Sequence, residues 1–174
     1  MQTLEDFLSE SLVVEAAQAA ETIEIKDGKN FIDNKTKAIT LTGNVKYAQV
    51  YFSKNLAVET IDLTGLHADD LRLDIQSCNH LQKVIGGTGE RIHVVIRKNA
   101  KLNELNLSGY NALGNQSDGV AQVTYIDSNK SLNLTDADLP KMVDDKHGMV
   151  IRNGAMYIRG NSMVGKNKLS ENIG

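Results

Sequence analysis

An apolar segment of this chain returns about every 22 residues. Val50-x-Phe52-x-x-Asn55-x-x-Val58 is followed by Leu73-x-Ile75-x-x-Cys78-x-x-Leu81 and then by Val94-x-Ile96-x-x-Asn99-x-x-Leu102. Thr124-x-Ile126-x-x-Asn129-x-x-Leu132 is a further copy, and Met149-x-Ile151-x-x-Gly154-x-x-Tyr157 a blurred last one. A unit of this length cannot bury its apolar side alone, and stacking it on its neighbours closes a shared interior. A second apolar half follows each slot, as in Val58-x-x-Ile61-x-Leu63-Thr64-Gly65 and Leu102-x-x-Leu105-x-Leu107-Ser108-Gly109, with Ile39-Thr40-Leu41-Thr42-Gly43 an earlier copy. Both halves alternate like strands. The expected fold is mainly β: a solenoid of about five coils over residues 22–159, each coil holding two short strands joined at the Asn, Cys or Gly slot.

The ends read differently. Leu4, Phe7, Leu8, Leu12, Ala16, Ala19 and Ala20 form one stripe at helical spacing, and Thr3 with Asp6 resembles a capping box. Residues 1–21 are therefore expected to form an amphipathic helix that caps the open end of the stack. Residues 160–174 are rich in Gly, Asn and Lys and are expected to be a loosely held tail. The longer interval before Asn129 holds Tyr110-Asn111-Ala112-Leu113-Gly114-Asn115-Gln116-Ser117-Asp118-Gly119, which reads as a turn-rich insertion. The one proline, Pro140, lies in a stretch expected to be a loop or a single helical turn.

The spacing L-x-L-x-x-N/C-x-x-L resembles two solenoid families. One is the right-handed parallel β-helix of the pectate-lyase and tailspike kind, in which corner asparagines stack into a ladder. The other is the leucine-rich repeat, in which Asn or Cys bonds the turn after the concave strand. The strand-like second half favours the β-helix, and the resemblance covers about residues 38–158.

Composition excludes several functions. Net charge is -3 with pI about 5.8, so no global basic field attracts nucleic acid. The lysines are scattered without interleaved aromatics. No apolar run is long enough to span a membrane, and the start has two early acids and no basic n-region, so no signal peptide is expected. A cytoplasmic or virion-associated location follows as an expectation. The single cysteine, Cys78, sits in the ladder slot and reads as structural. His67, His80, His93 and His147 lack metal-pair spacing, and neither a metal nor a cofactor is expected. Gly160-Asn161-Ser162-Met163-Val164-Gly165-Lys166-Asn167 looks like a phosphate loop but has Asn167 where Ser or Thr should hold magnesium. Gly86-Gly87-Thr88-Gly89 reads as a tight corner.

If Phe52, Ile75, Ile96, Ile126 and Ile151 point inward, the preceding residues Tyr51, Asp74, Val95, Tyr125 and Val150 line up outside. Tyr51, Val95, Tyr125 and Val150 make that column apolar for a solvent face, and they are the candidate binding residues. The following residues place Arg97, Asp127 and Arg152 in one column, and Lys83 falls against Glu104 in the other strand. Weak catalytic candidates are Asp69, Asp70 and Asp74, with Arg97, as carboxylates for glycoside cleavage. The sequence favours a non-catalytic structural or protein-interaction solenoid that meets a protein partner or itself. Likeness to tailspikes implies a trimer. A carbohydrate-binding or carbohydrate-active β-helix is the alternative.

Overall fold

The computed structural model describes residues 20–114, 124–143, 149–153, 156–160 and 164–165. Its strands are β1 (Ala20–Glu24), β2 (Gly28–Ile32), β3 (Ala38–Phe52), β4 (Thr60–Gln76), β5 (Lys83–Ile85), β6 (Gly89–Arg97) and β7 (Glu104–Asn106). They continue as β8 (Tyr110–Leu113), β9 (Thr124–Asp127), β10 (Met142–Val143), β11 (Met149–Asn153), β12 (Met156–Gly160) and β13 (Val164–Gly165). Up to β11 every pairing is parallel, and the chain winds as a β-solenoid of about five turns. Ala20, Ala38, Thr60, Lys83 and Glu104 are register partners and mark the start of successive coils 1 to 5.

Each coil has three faces where the sequence suggested two strands. Face A stacks β1, the start of β3, the start of β4, β5 and β7. Face B stacks the middle of β3 and β4, the start of β6, and β8 and β10. Face C stacks β2, the ends of β3, β4 and β6, and then β9 and β11. Long β3 and β4 turn from A to B at a register shift after Thr40, where two residues oppose one and bend the strand. The B-to-C corner is marked by consecutive outward residues, Lys46-Tyr47, Asp69-Asp70 and Glu90-Arg91, between inward neighbours. Glycine is required at the A-to-B corner of coil 4: Gly86 and Gly87 have φ of +87° and +81°, and a Cβ on Gly87 would lie 2.6 Å from the Tyr110 hydroxyl.

The interior is aliphatic. Phe52, Ile75, Ile96, Ile126 and Ile151 are all buried on one line, as are Ile39, Ile61, Val84 and Leu105 on another. Each such side chain contributes about 1.5–3 kcal/mol by leaving water. The repeat slot is a polar ladder inside this core. Ser77, Lys98 and Ser128 take left-handed φ near +58°, and turn Cys78, Asn99 and Asn129 inward. The Cys78 N–H donates to Asn99 Oδ1 (2.9 Å), and the Asn99 N–H to Asn129 Oδ1 (3.0 Å). Asn99 Nδ2 donates to the Ile75 carbonyl (3.1 Å) and Asn129 Nδ2 to the Ile96 carbonyl (3.0 Å).

Several expectations are corrected. Asn55 is not a ladder member: it is exposed at φ +61°, donates its N–H to the Ser77 carbonyl, and so matches Ser77 rather than Cys78. One extra residue after Phe52 shifts the corner and leaves Leu56 in the slot. Gly154 lies outside the described residues. The expected helix fails at its end, because Ala20 and Glu21 are strand residues paired with Ala38 and Ile39. Residues 1–19 lie outside the described residues. Tyr110–Leu113 is not insertion but β8, with Tyr110 and Leu113 in the core. The extra chain comes next: Leu113 pairs with Ile92 and Tyr125 with Val95, so the chain takes twelve residue steps where the neighbouring coil takes three, and residues 115–123 lie outside the described residues. Asp136–Asp138, before Pro140, form one 3-10 turn. At the far end the chain reverses. β12 pairs antiparallel with β11 and β13 with β10, so Gly160, Val164 and Gly165 of the expected tail are in strands. The remainder of the tail and most of the phosphate-loop look-alike lie outside the described residues. Among those residues no helix is long and apolar enough to cross a membrane.

Candidate interaction face

Period-two alternation on face C sends Val50, Leu73 and Val94 into the core and the residues after them outward. Phe31, Tyr51, Asp74, Val95, Tyr125 and Val150 thereby stand in one column in strict register. All four sequence-derived binding residues belong to it. Phe31, which the repeat did not include, is its most exposed member at 73 %, whereas Val95 keeps 8 %.

The rings are held rigidly. Phe31 stacks on Tyr51 with centroids 5.4 Å apart and planes 19° from parallel. The Arg72 guanidinium lies 5.3 Å from the Tyr51 centroid, and that of Arg97 lies 4.4 Å from Tyr125. Such contacts add about 0.5–2 kcal/mol each. The Tyr51 hydroxyl donates to Gln49 Oε1 (2.9 Å), and Gln49 Nε2 donates to the Tyr47 hydroxyl. Arg72 sits 3.6 Å from Asp74, which also accepts from Gln76 Nε2 (2.8 Å). Arg97 grips Asp127 through Nε (2.9 Å) and the neighbouring terminal nitrogen (3.3 Å). That bond holds the guanidinium proton more firmly than usual. Asp127 is in register with Arg152, and Lys83 meets Glu104 at 3.0 Å, as the repeat register implied.

The catalytic candidates are dispersed by the fold. Asp69 and Asp70 fall on opposite sides of the B-to-C corner. Asp69 pairs with His67 (3.3 Å) on face B, where His67 Nδ1 lies 3.0 Å from Thr88 Oγ1. This Asp–His–Thr relay escaped sequence reading because Thr88 comes from the next coil. Its order is that of a nucleophile relay, but His67 and Asp69 stand half in solvent, where water is not excluded. Asp70 starts face C, its pKa raised by burial and partly restored by Arg91. Asp70 and Asp74 share a strand at a separation of about 13 Å, beyond the ~5–9.5 Å between paired glycosidase carboxyls. Arg97 is committed to Asp127. Among the described residues no three His, Cys, Asp or Glu side chains converge on a metal-sized point. Cys78 is buried, and burial pushes its thiol up to about 11 against a weaker backbone hydrogen bond from Leu56. It stays protonated and unreactive near neutral pH.

No family model, curated protein or solved structure matches the chain.

Proposed function

We propose that this protein is a non-catalytic structural β-solenoid that acts by protein contact through face C, with self-association as the contact it can make unaided. The carrying observation is the in-register column of Phe31, Tyr51, Val95, Tyr125 and Val150, braced by Arg72 and Arg97. Tyr and Arg are enriched among the residues that dominate binding energy at protein interfaces, and Phe is enriched in their composition. Here their rotamers are fixed before any partner arrives, which lowers the entropy cost of binding.

The carbohydrate alternative is weaker on this face. A sugar ring packs on an uncovered aromatic face, and these faces are occupied. Tyr51 has Phe31 and Arg72 against it, and Tyr125 has Arg97. Phe31 alone is widely open.

Light scattering after size exclusion, at several loading concentrations, tests the proposal. The wild type is expected as an oligomer and Tyr125→Glu as a smaller species with an unchanged far-ultraviolet circular-dichroism spectrum. Equal masses for the two proteins would remove the proposal, and release of reducing sugar from any glycan would restore the alternative.

A further inference from the structure

Lysines that lie far apart in the sequence are gathered by the coil register at the C-to-A corner. Its segments, residues 33–37, 53–59, 77–82, 98–103 and 128–135, hold six lysines against Asp33 and Glu59, in a chain whose net charge is -3. The corner backbones stack directly. The Asn55 N–H donates to the Ser77 carbonyl, that of Ser77 to Arg97, and that of Lys98 to Asp127. Lys54 therefore stands on coil 2, Lys98 and Lys101 on coil 4 and Lys130 on coil 5, all of them exposed.

Asn99 and Asn129 are ladder partners, so Lys130 lies level with Ala100, between Lys98 and Lys101 of the preceding coil and about 4.8 Å away. The Ser131 hydroxyl donates to the Ala100 carbonyl (2.8 Å) and ties the two turns together. Three ammonium groups thus share one corner. Among the described residues no carboxylate lies within ion-pair reach of Lys54, Lys98, Lys101 or Lys130. The nearby acids are engaged elsewhere: Asp127 is buried and holds Arg97, Glu104 holds Lys83, and Glu59 holds Lys37. Repulsion among these lysines has no internal relief, and a polyanion laid on the corner relieves it.

The rest of the corner narrows the polyanion. Asn55, Ser77, Asn79, Asn103, Ser128 and Ser131 supply amides and hydroxyls of the kind that bond phosphate oxygens. The backbone N–H groups of Ala100, Lys101, Lys130 and Ser131 meet no acceptor among the described residues and add further donors. No Phe, Tyr or Trp stands in these segments, so the bases of a single strand find no such ring to stack on. No apolar side chain larger than Ala is exposed there, so nothing enters a lipid surface. A duplex hides its bases and presents dense rows of phosphates, which suits a ridge that carries charge and hydrogen-bond donors alone.

We infer that the C-to-A corner binds the phosphate backbone of double-stranded nucleic acid, without reading its sequence, through Lys54, Lys98, Lys101 and Lys130. This contact is separate from the aromatic column of face C and does not depend on it.

Fluorescence anisotropy of a labelled DNA duplex of ~20 base pairs, titrated at several NaCl concentrations from ~50 mM, tests it. Four phosphate contacts predict a slope of log K against log salt of about -3.6, with Kd on the order of 10 µM at the lowest salt. Combining Lys98→Gln, Lys101→Gln and Lys130→Gln should bring the slope to about -1. Lys26→Gln, Lys46→Gln and Lys141→Gln combined, an equal loss of charge away from the corner, should leave the slope within about one unit of the wild type. All six lysines are exposed, and both variants should keep the wild-type circular-dichroism spectrum and unfolding midpoint. No binding of the duplex at ~50 mM salt overturns the inference, whether or not phosphatidylserine vesicles are bound. Equal weakening by the two triple variants also overturns it, because net charge and not the corner would then be responsible. Tighter binding of a single strand of the same length overturns the choice of a duplex.

Discussion

Replacing Asn129 by Ala separates the ladder residues from their look-alike at Asn55. Asn129 is buried, and its Oδ1 accepts both the Asn99 N–H and Asn99 Nδ2 (3.0 and 3.1 Å), while its Nδ2 donates to the Ile96 carbonyl (3.0 Å). Truncation removes all three bonds from a site with little access to water. Each buried group left without its bond costs about 1–3 kcal/mol. With partial relaxation the total is about 3–5 kcal/mol, a large share of the ~5–15 kcal/mol that holds a domain together. For a chain of this size that is a fall of about 6–20 °C in Tm. Asn55 has the same residue type in the same repeat position, yet it is exposed and serves only a left-handed backbone at φ +61°. Asn55→Ala should cost about 1 kcal/mol, the penalty for a Cβ without a compensating side chain in that conformation. Asn55→Gly should be neutral or better. Urea and thermal unfolding followed by circular dichroism would measure all three. Equal losses for Asn55→Ala and Asn129→Ala, or a loss under ~1 kcal/mol for the latter, would refute the ladder as the source of corner stability.

Three further outcomes follow from single sites. Tyr110 is buried with its hydroxyl unpaired, so Tyr110→Phe should leave unfolding unchanged or raise stability by up to about 1 kcal/mol, whereas Tyr110→Ala should cost about 3–5 kcal/mol. A Cβ on Gly89 would lie 1.7 Å from the Ala68 carbonyl oxygen, so Gly89→Ala should give insoluble protein or lose several kcal/mol in the same unfolding assay. The Cys78 thiol, raised to about 11 by burial, should resist iodoacetamide in the native state at pH 8 and react at once in urea. Raising the pH should keep increasing the native labelling rate toward pH 11, because the protonated form persists until then. A plateau near the ordinary thiol value of ~8.5 would contradict the burial.

The outward column was legible because side-chain direction has period two and the repeat fixes which residues are level. Tyr51, Val95, Tyr125 and Val150 each precede an inward residue of the same line, so their alignment needed only the spacing. Phe31 was missed because coil 1 is short and carries no copy of the slot, leaving nothing to align with Tyr51. Face B was invisible for a different reason. Its strands pass through glycine corners and paired outward residues such as Asp69-Asp70, which break alternation on both sides. Asn55 was placed in the ladder because Asn suits both a left-handed corner and a buried amide ladder, and the residue type alone does not say which use is made of it. The helical stripe in residues 1–21 has no marked end, and parallel pairing with Ala38 and Ile39 takes Ala20 and Glu21 into the sheet. The Asp–His–Thr relay depends on two coils, and only tertiary register brings Thr88 to His67.

Stacking of consecutive coils in register is most directly tested by a disulfide across face A. Lys83 and Glu104 are register partners on neighbouring parallel strands, about 4.8 Å apart, within the span a disulfide bridges. Lys83→Cys combined with Glu104→Cys should oxidise in air to an intramolecular bond that mass spectrometry finds in nearly all of the protein. Lys83→Cys with Asn106→Cys, two residues off register at about 8 Å, should remain reduced. A reduced first pair, or equal oxidation of both, would mean that the coils do not lie on one another as described.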